Sequence, residues 1–446
     1  MTAFALRSRR VVQPGSVGPA TVVVRDGVIA EVIADAGSAG DLPADLDCED
    51  LGDLVLSPGL VDSHVHVNDP GRTRWEGFTS ATRAAAAGGV TTVVDMPLNS
   101  LPPTVSVTAL ERKRAAAFGN VWVDVAFWGG ITSADVADVA PLVDAGVCGF
   151  KVFLSPSGVP EFPHLDESAL DAALASVARA DVPLVVHAEH PAVLDAAPAV
   201  TGRAYASWLA SRPAEAEVAA VALLADACAR AGARAHVLHL SAGAALPVLD
   251  AAARAGTRLT AETCPHYLSL AAEDLPDGAT PAKCAPPVRP GANRDELWDG
   301  VRAGLLSAVV SDHSPAPPDL KAVATGDMAQ AWGGISGLQT QLPVVWTAAR
   351  SRGVGFADLA RLQSEAPARL AGLAGKGAIR VGNDADLVAW DPEASFVVDP
   401  HRLLHRHPLS PWAGAELHGV VRTTWLRGVV VDVDGPARGR LLERAA

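Results

Sequence analysis

This sequence of 446 residues predicts an α/β fold: a (β/α)8 TIM barrel with a small β-sandwich domain formed from both chain ends. Three observations predict it. Eight short apolar runs alternate with alanine-rich stretches that allow a helical face. Both flanks of the chain read instead as short strands and turns, without a helical period. No glycine-rich phosphate loop follows an early strand, which counts against the rival, a doubly wound open sheet.

The chain opens on "MTAFALRSRRVVQPG", where Arg9-Arg10 resembles a twin-arginine export signal, but no hydrophobic segment with a cleavage site follows. Instead "TVVVRDGVIAEV" gives two β-runs about Asp26-Gly27, a hairpin signal. The same texture returns in "GNDADLVAWDP", "ASFVVDP" and "VVRTTWLRGVVVDV". Residues 1–56 and 376–446 therefore compose the β-sandwich domain, and residues 57–375 the barrel. The eight barrel runs are 60–67, 90–98, 121–128, 147–154, 182–189, 234–241, 258–264 and 306–313.

Composition narrows the function. A formal net charge of −14 argues against nucleic acid and gives no attraction to acidic lipids. Half the residues are hydrophobic, yet no apolar run reaches 18 residues, so no membrane span is expected. The five cysteines (Cys48, Cys148, Cys228, Cys264, Cys284) are odd in number and lack CxxC spacing, which suits a reduced cytoplasmic protein.

In a barrel of this kind the active site lies at the C-terminal strand ends. Reading those ends gives His64 and His66, then Lys151, His187, His239 and Asp312. His64 and His66 are two apart, so on a strand they share a face, where two imidazoles can grip one metal ion. Alone, that pair is a weak signal, and His187 or His239 taken singly reads as readily as a core or surface histidine. Their coincidence at separate strand ends carries the metal reading. Asp312 ends "SAVVSD", where a buried carboxylate needs a cation. Lys151 sits in the middle of "VCGFKVFL". Either that run is an exposed edge, or the lysine has a role that offsets the cost of burying it.

Several other residues attract a chemical reading and a bland one. Asp62 supports a ligand histidine or makes a structural pair, and His266 lines the pocket or does not. His313, His190 and Asp95 read as structural, Cys284 as a packed thiol, and "HRLLHRH" (401–407) as a solvated turn.

Longer stretches, among them "GLVDSHVHVNDPGR", "GFKVFLSPSGVPEFP", "ETCPHYL", "KCAPPVR" and "WGGISGLQ", resemble the cyclic amidohydrolases of the amidohydrolase superfamily over nearly the whole chain. Within them the pattern is similar to the allantoinases. Asn68 stands where dihydroorotases usually place an arginine, and "VFLSPSG" after Lys151 lacks the tyrosine of hydantoinases and dihydropyrimidinases. The resemblance implies hydrolysis of allantoin to allantoate in purine and ureide catabolism by a metal-bridging hydroxide. A hydantoinase or dihydropyrimidinase is the alternative. It also implies two divalent ions, zinc first and cobalt, manganese or iron otherwise. His64, His66 and Asp312 would hold one ion, and His187 and His239 the other. Lys151, carboxylated by CO2 to N6-carboxylysine, would bridge them. Asp312 would be the catalytic base and then acid, and Asn99, Ser157, Ala285 and Gly333 would hold the substrate. A homotetramer is implied in the same way. A catalytically dead scaffold relative is a second reading, and the six filled ligand positions speak against it.

Overall fold

The computed structural model describes residues 3–34, 46–132 and 136–445. The N-terminal flank forms β1 (Ala3–Gln13), β2 (Ser16–Arg25), β3 (Val28–Ala34), β4 (Asp47–Asp50) and β5 (Val55–Pro58). Asp26 and Gly27 turn β2 into β3 with φ of 50° and 85°, the left-handed pair a two-residue hairpin needs. The centre carries β6 (Leu60–Val65), β7 (Val90–Asp95), β8 (Asp124–Phe127), β9 (Gly129–Gly130), β10 (Phe150–Phe153), β11 (Leu184–His187), β12 (Ala235–Val237), β13 (Leu259–Thr263) and β14 (Ala308–Val309). The C-terminal flank adds β15 (Leu387–Val397), β16 (Glu416–Leu426) and β17 (Val429–Val430).

All eight apolar runs contain a strand, and these strands pair in parallel with helices between them. They read as continuous apolar runs because nearly every residue in them is buried on both faces, as parallel strands between helices are. The helix Glu167–Ala180 shows how the intervening segments fold. The Asp166 carboxylate accepts from Ala169 N at 2.8 Å to cap it, and Leu170, Ala173, Leu174 and Val177 form its buried face.

The parallel ladders form two sheets, β6-β7-β8 and β9 to β14, and not one continuous ring. Two local features separate them. At one seam Val125 in β8 pairs with Leu441 of the C-terminal tail, although Cys148 N still donates to Phe127 O at 2.9 Å. At the other seam β14 is only two residues long. There Val65 meets His313 in an isolated bridge, and the Asp62 carboxylate accepts from Ser311 N at 3.1 Å. Strands from both chain ends share one eight-stranded sheet in the order β17-β16-β15-β5-β1-β2-β3, with β4 on β1. The two ends meet where β5 pairs antiparallel with β15.

A buried charge cluster ties the tail, β8 and the segment leading into β15 together. Lys376 Nζ lies 2.7 Å from carboxylate oxygens of Asp124, Asp384 and Asp386, and Arg427 also donates to Asp124. Burial alone would lower the lysine, but Asp386 and Asp124 outweigh it and hold it charged. Replacing Lys376 with Met strands these acids. It should cost about 3–5 kcal/mol in denaturant-induced unfolding, and a loss below about 1 kcal/mol would contradict this account.

The run 401–407 is not simply a solvated turn. His405 is buried with its ring 5.9 Å from that of His313, and Arg406 N donates to the Glu76 carboxylate at 3.1 Å. Glu76 is fully buried and needs those donors, which draws the run onto the central domain.

Candidate metal centre

A cavity of about 220 Å³ opens at the C-terminal ends of the central strands. His66, Lys151, His187, His239 and Asp312 line it, and His64 lies beneath them with no exposed surface. The six residues singled out in the sequence therefore converge. Strand geometry explains His64 and His66, which flank Val65 at the end of β6 with their ring centroids 5.5 Å apart. His239 and Asp312 lie just past β12 and β14 with φ of 37° and 45°, a strained conformation for side-chain-bearing residues.

The donor atoms face one another. His64 Nε2 is 3.2 Å from Asp312 Oδ1, and His66 Nε2 is 3.7 Å from it. His187 Nδ1 is 3.1 Å from His239 Nε2. One ligand atom from each of His64, His239 and Asp312 falls within 4.8 Å of the others, a spacing that could hold a metal ion. Burial pushes the His66 imidazole down to about 3 and those of His64, His187 and His239 below their usual range, with the Lys151 charge adding to it. Neutral imidazoles are the metal-binding form. His64 Nε2 and His239 Nδ1 are buried without a hydrogen-bond partner, as a site built for a cation would leave them.

Lys151 is 1% exposed, so "VCGFKVFL" is not an edge. Its Nζ lies 4.6 Å over the Phe153 ring and makes no ion pair or hydrogen bond among the described residues. Burial lowers the ammonium and raises the Asp312 carboxyl, while the attraction between the two opposes both shifts.

Asn99, Ser157, Ala285 and Gly333 all line the cavity. Asn99 Nδ2 donates to Asn68 Oδ1 at 3.1 Å, and Arg72 donates to the Asn99 carbonyl at 2.7 Å. The Ser157 hydroxyl is already committed, donating to Phe162 O at 2.6 Å. A Cβ on Gly333 would come 4.0 Å from Ala285 N, so these two backbones face each other closely.

The remaining candidates fall into place. Asp62 accepts from His64 N at 3.0 Å and Ser311 N at 3.1 Å, joining the first and eighth strands, and burial pushes its carboxyl up to about 6. Asp95 pairs with Lys113 Nζ at 2.6 Å, and His313 Nε2 lies 3.5 Å from Glu76. Cys284 lines the cavity, and all five cysteines are free. His266 does not line it. His266 is fully buried, and both its ring nitrogens lack a partner.

Burial lowers His266 from its ordinary 6.5 to about 3. The unfolded chain therefore gains a proton below pH 6.5 that the folded chain refuses, so stability present above 6.5 is lost as pH falls toward 3, at about 1.4 kcal/mol per pH unit. His266→Gln should flatten that acid slope in unfolding titrations. An unchanged slope would contradict the assignment.

Sequence reasoning missed the buried acids behind the ligand positions. Glu262 Oε1 accepts from His64 Nδ1 at 2.7 Å, and Glu189 Oε2 accepts from His187 Nε2 at 2.6 Å. Arg212 donates to Glu189 through Nε at 3.0 Å and through Nη2. Burial would raise Glu189, but Arg212 and His187 together hold it at about 2. Lys321 Nζ donates to the carbonyls of Lys283, Trp332 and Gly334 and pins the loop that carries Gly333. A glutamate inside "VPLVVHAE" or "RLTAETC" poses the same burial problem as Lys151 and was legible on that ground.

Comparison with known proteins agrees with this geometry. Residues 55–431 match the amidohydrolase family. The chain is 53% identical to an allantoinase of Streptomyces avermitilis, over 99% of this chain and 98% of that protein. It is 41% identical to an allantoinase of Arabidopsis thaliana, over 97% of this chain and 88% of the relative. An L-hydantoinase (dihydropyrimidinase) structure from Arthrobacter aurescens superposes with a TM-score of 0.91 at 29% identity, covering 99% of this chain and all of that one. With its family match spanning most of its length and its buried histidines gathered round one cavity, the chain belongs to the amidohydrolase family.

Proposed function

We propose that the chain hydrolyses the cyclic amide bond of allantoin to give allantoate, a step of purine and ureide catabolism. The observation that carries this is the convergence of His64, His66, Lys151, His187, His239 and Asp312 on one small cavity. The similarity to allantoinases from bacteria, plants and yeast supports the choice of substrate. Asn68 supports it too, since it offers no cation to a ring carboxylate as dihydroorotate would require.

The donor set fits a pair of divalent ions: buried neutral imidazoles, one carboxylate, and the unpartnered His64 Nε2 facing Asp312. His64, His66 and Asp312 would hold one ion, His187 and His239 the other. Imidazole and carboxylate suit zinc first, with cobalt, manganese or iron as alternatives. Bound there, such ions would lower the pKa of a water nucleophile toward neutrality and polarise the ring carbonyl. Lys151, as the neutral amine, would combine with CO2 to form N6-carboxylysine with release of one proton, giving a carbamate whose single negative charge is shared by two oxygens. Asp312 takes the proton of the attacking water and passes it to the leaving ring nitrogen, base and then acid. Asn99, Ala285 and Gly333 orient the ureide, and Ser157 contributes through its backbone because its hydroxyl is committed. A cavity of this size suits a small ring compound and not a polymer.

The two parallel sheets are the arcs of one (β/α)8 barrel over 57–375, and residues 1–56 and 376–446 build the β-sandwich-type domain. The separate cluster of Leu6, Val22, Leu56, Leu387 and Trp425 supports that second unit. The free cysteines fit the cytoplasm, and among the described residues no helix is long and apolar enough to cross a membrane. A homotetramer is the proposed assembly, to be read from solution mass.

Purified, metal-loaded protein should turn over allantoin with kcat/KM at least about tenfold above hydantoin, dihydrouracil or dihydroorotate, a margin of about 1.4 kcal/mol. Preference for another of these rings would overturn the choice of substrate.

A further inference from the structure

We propose that Glu262 and Glu189 are positioning residues, each fixing which ring nitrogen one histidine presents to its own metal ion. The proposal rests on the metal-centre reading above.

A carboxylate can only accept, so the contact itself assigns the proton on the ring. His64 Nδ1–H donates to Glu262 Oε1 at 2.7 Å, which leaves the lone pair on Nε2. That nitrogen is the one without a hydrogen-bond partner, 3.2 Å from Asp312 Oδ1. Glu262 is itself held. Its Oε2 accepts from His236 Nε2–H at 3.1 Å, and His236 Nδ1 accepts from the Thr260 hydroxyl at 2.7 Å. The run Thr260 to His236 to Glu262 to His64 is thus directional from an exposed position on β13 to the centre.

His187 is arranged the other way round. Its Nε2–H donates to Glu189 Oε2 at 2.6 Å, so the lone pair lies on Nδ1, which faces His239 Nε2 at 3.1 Å. Arg212 clamps both oxygens of Glu189. The same side chain thus offers opposite nitrogens at the two halves of the site, and the position of the carboxylate decides which. Hydrogen bonding of this kind orients a ligand ring and raises its basicity.

The test is chelator competition on zinc-loaded protein, with zinc per chain as the readout. Glu262→Gln should weaken one ion about 10- to 100-fold, the one held by His64, His66 and Asp312. Glu189→Gln should weaken the other ion to a similar degree, with the ion held by His64, His66 and Asp312 retained. Thr260→Val, at an exposed position, should give a smaller loss at the His64 ion and keeps the test open if Glu262→Gln does not fold. Variants that release zinc at the wild-type chelator concentration would overturn the proposal, as would equal loss of both ions from each. A wild type that binds no divalent ion would instead overturn the metal-centre reading, so the two failures are distinct.

Discussion

Replacing Lys151 with alanine is expected to remove the bound divalent ions and to lower kcat/KM at least about a thousandfold, some 4 kcal/mol of transition-state stabilisation. The lysine occupies the middle of a fully buried strand, in the wall of the cavity, beside five other groups that would face cations. A free ammonium there would repel divalent ions. Burial lowers it, which favours the free amine, the form that the proposed reaction with CO2 requires. If Lys151 supplies a bridging anion as proposed, the variant lacks it while its small side chain leaves space, so added acetate or propionate should restore part of the metal content and turnover. Metal analysis and steady-state rates with and without the acid read both effects. A variant that keeps two ions and full turnover would show that Lys151 does not bridge.

Asp312→Asn should lower kcat about 10²- to 10⁴-fold with a smaller change in KM, the range expected when a positioned proton-transfer group is lost. Asn matches the shape of the carboxylate and can still coordinate through one oxygen, but it cannot take or give the proton. Asp312 is 6% exposed, held at φ 45° against His64 and His66, and no other carboxylate lines the cavity among the described residues. Stopped assays on variant protein reloaded with metal separate proton transfer from ion loss. A kcat within about threefold of wild type at full metal content would assign the proton transfer elsewhere, since such a change is well under 1 kcal/mol.

Local periodicity made the central strands and the hairpin at Asp26-Gly27 legible, because parallel strands buried on both faces read as unbroken apolar runs. Side chains at strand ends were legible for the same reason: the end of the run locates His64, His187 and Asp312 without tertiary information. The seam at Val125 was not legible. Its partner Leu441 lies over three hundred residues away in a tail with no strand pattern, and only packing brings it there. Glu262 and Glu189 carry the same burial signal as Lys151, but their partners Arg212, His64 and His236 lie on other elements and only the fold shows what each acid holds. The run 401–407 misled by composition. Its polarity suggested solvent, but Glu76 supplies a buried acceptor that only the fold reveals.

The most direct test of the account is the turnover of allantoin by protein stripped of metal and then titrated with zinc in the presence of bicarbonate. The account predicts negligible hydrolysis in the stripped protein and a rise that saturates at two equivalents per chain. Full turnover in metal-free protein, or saturation at no bound metal, would contradict it.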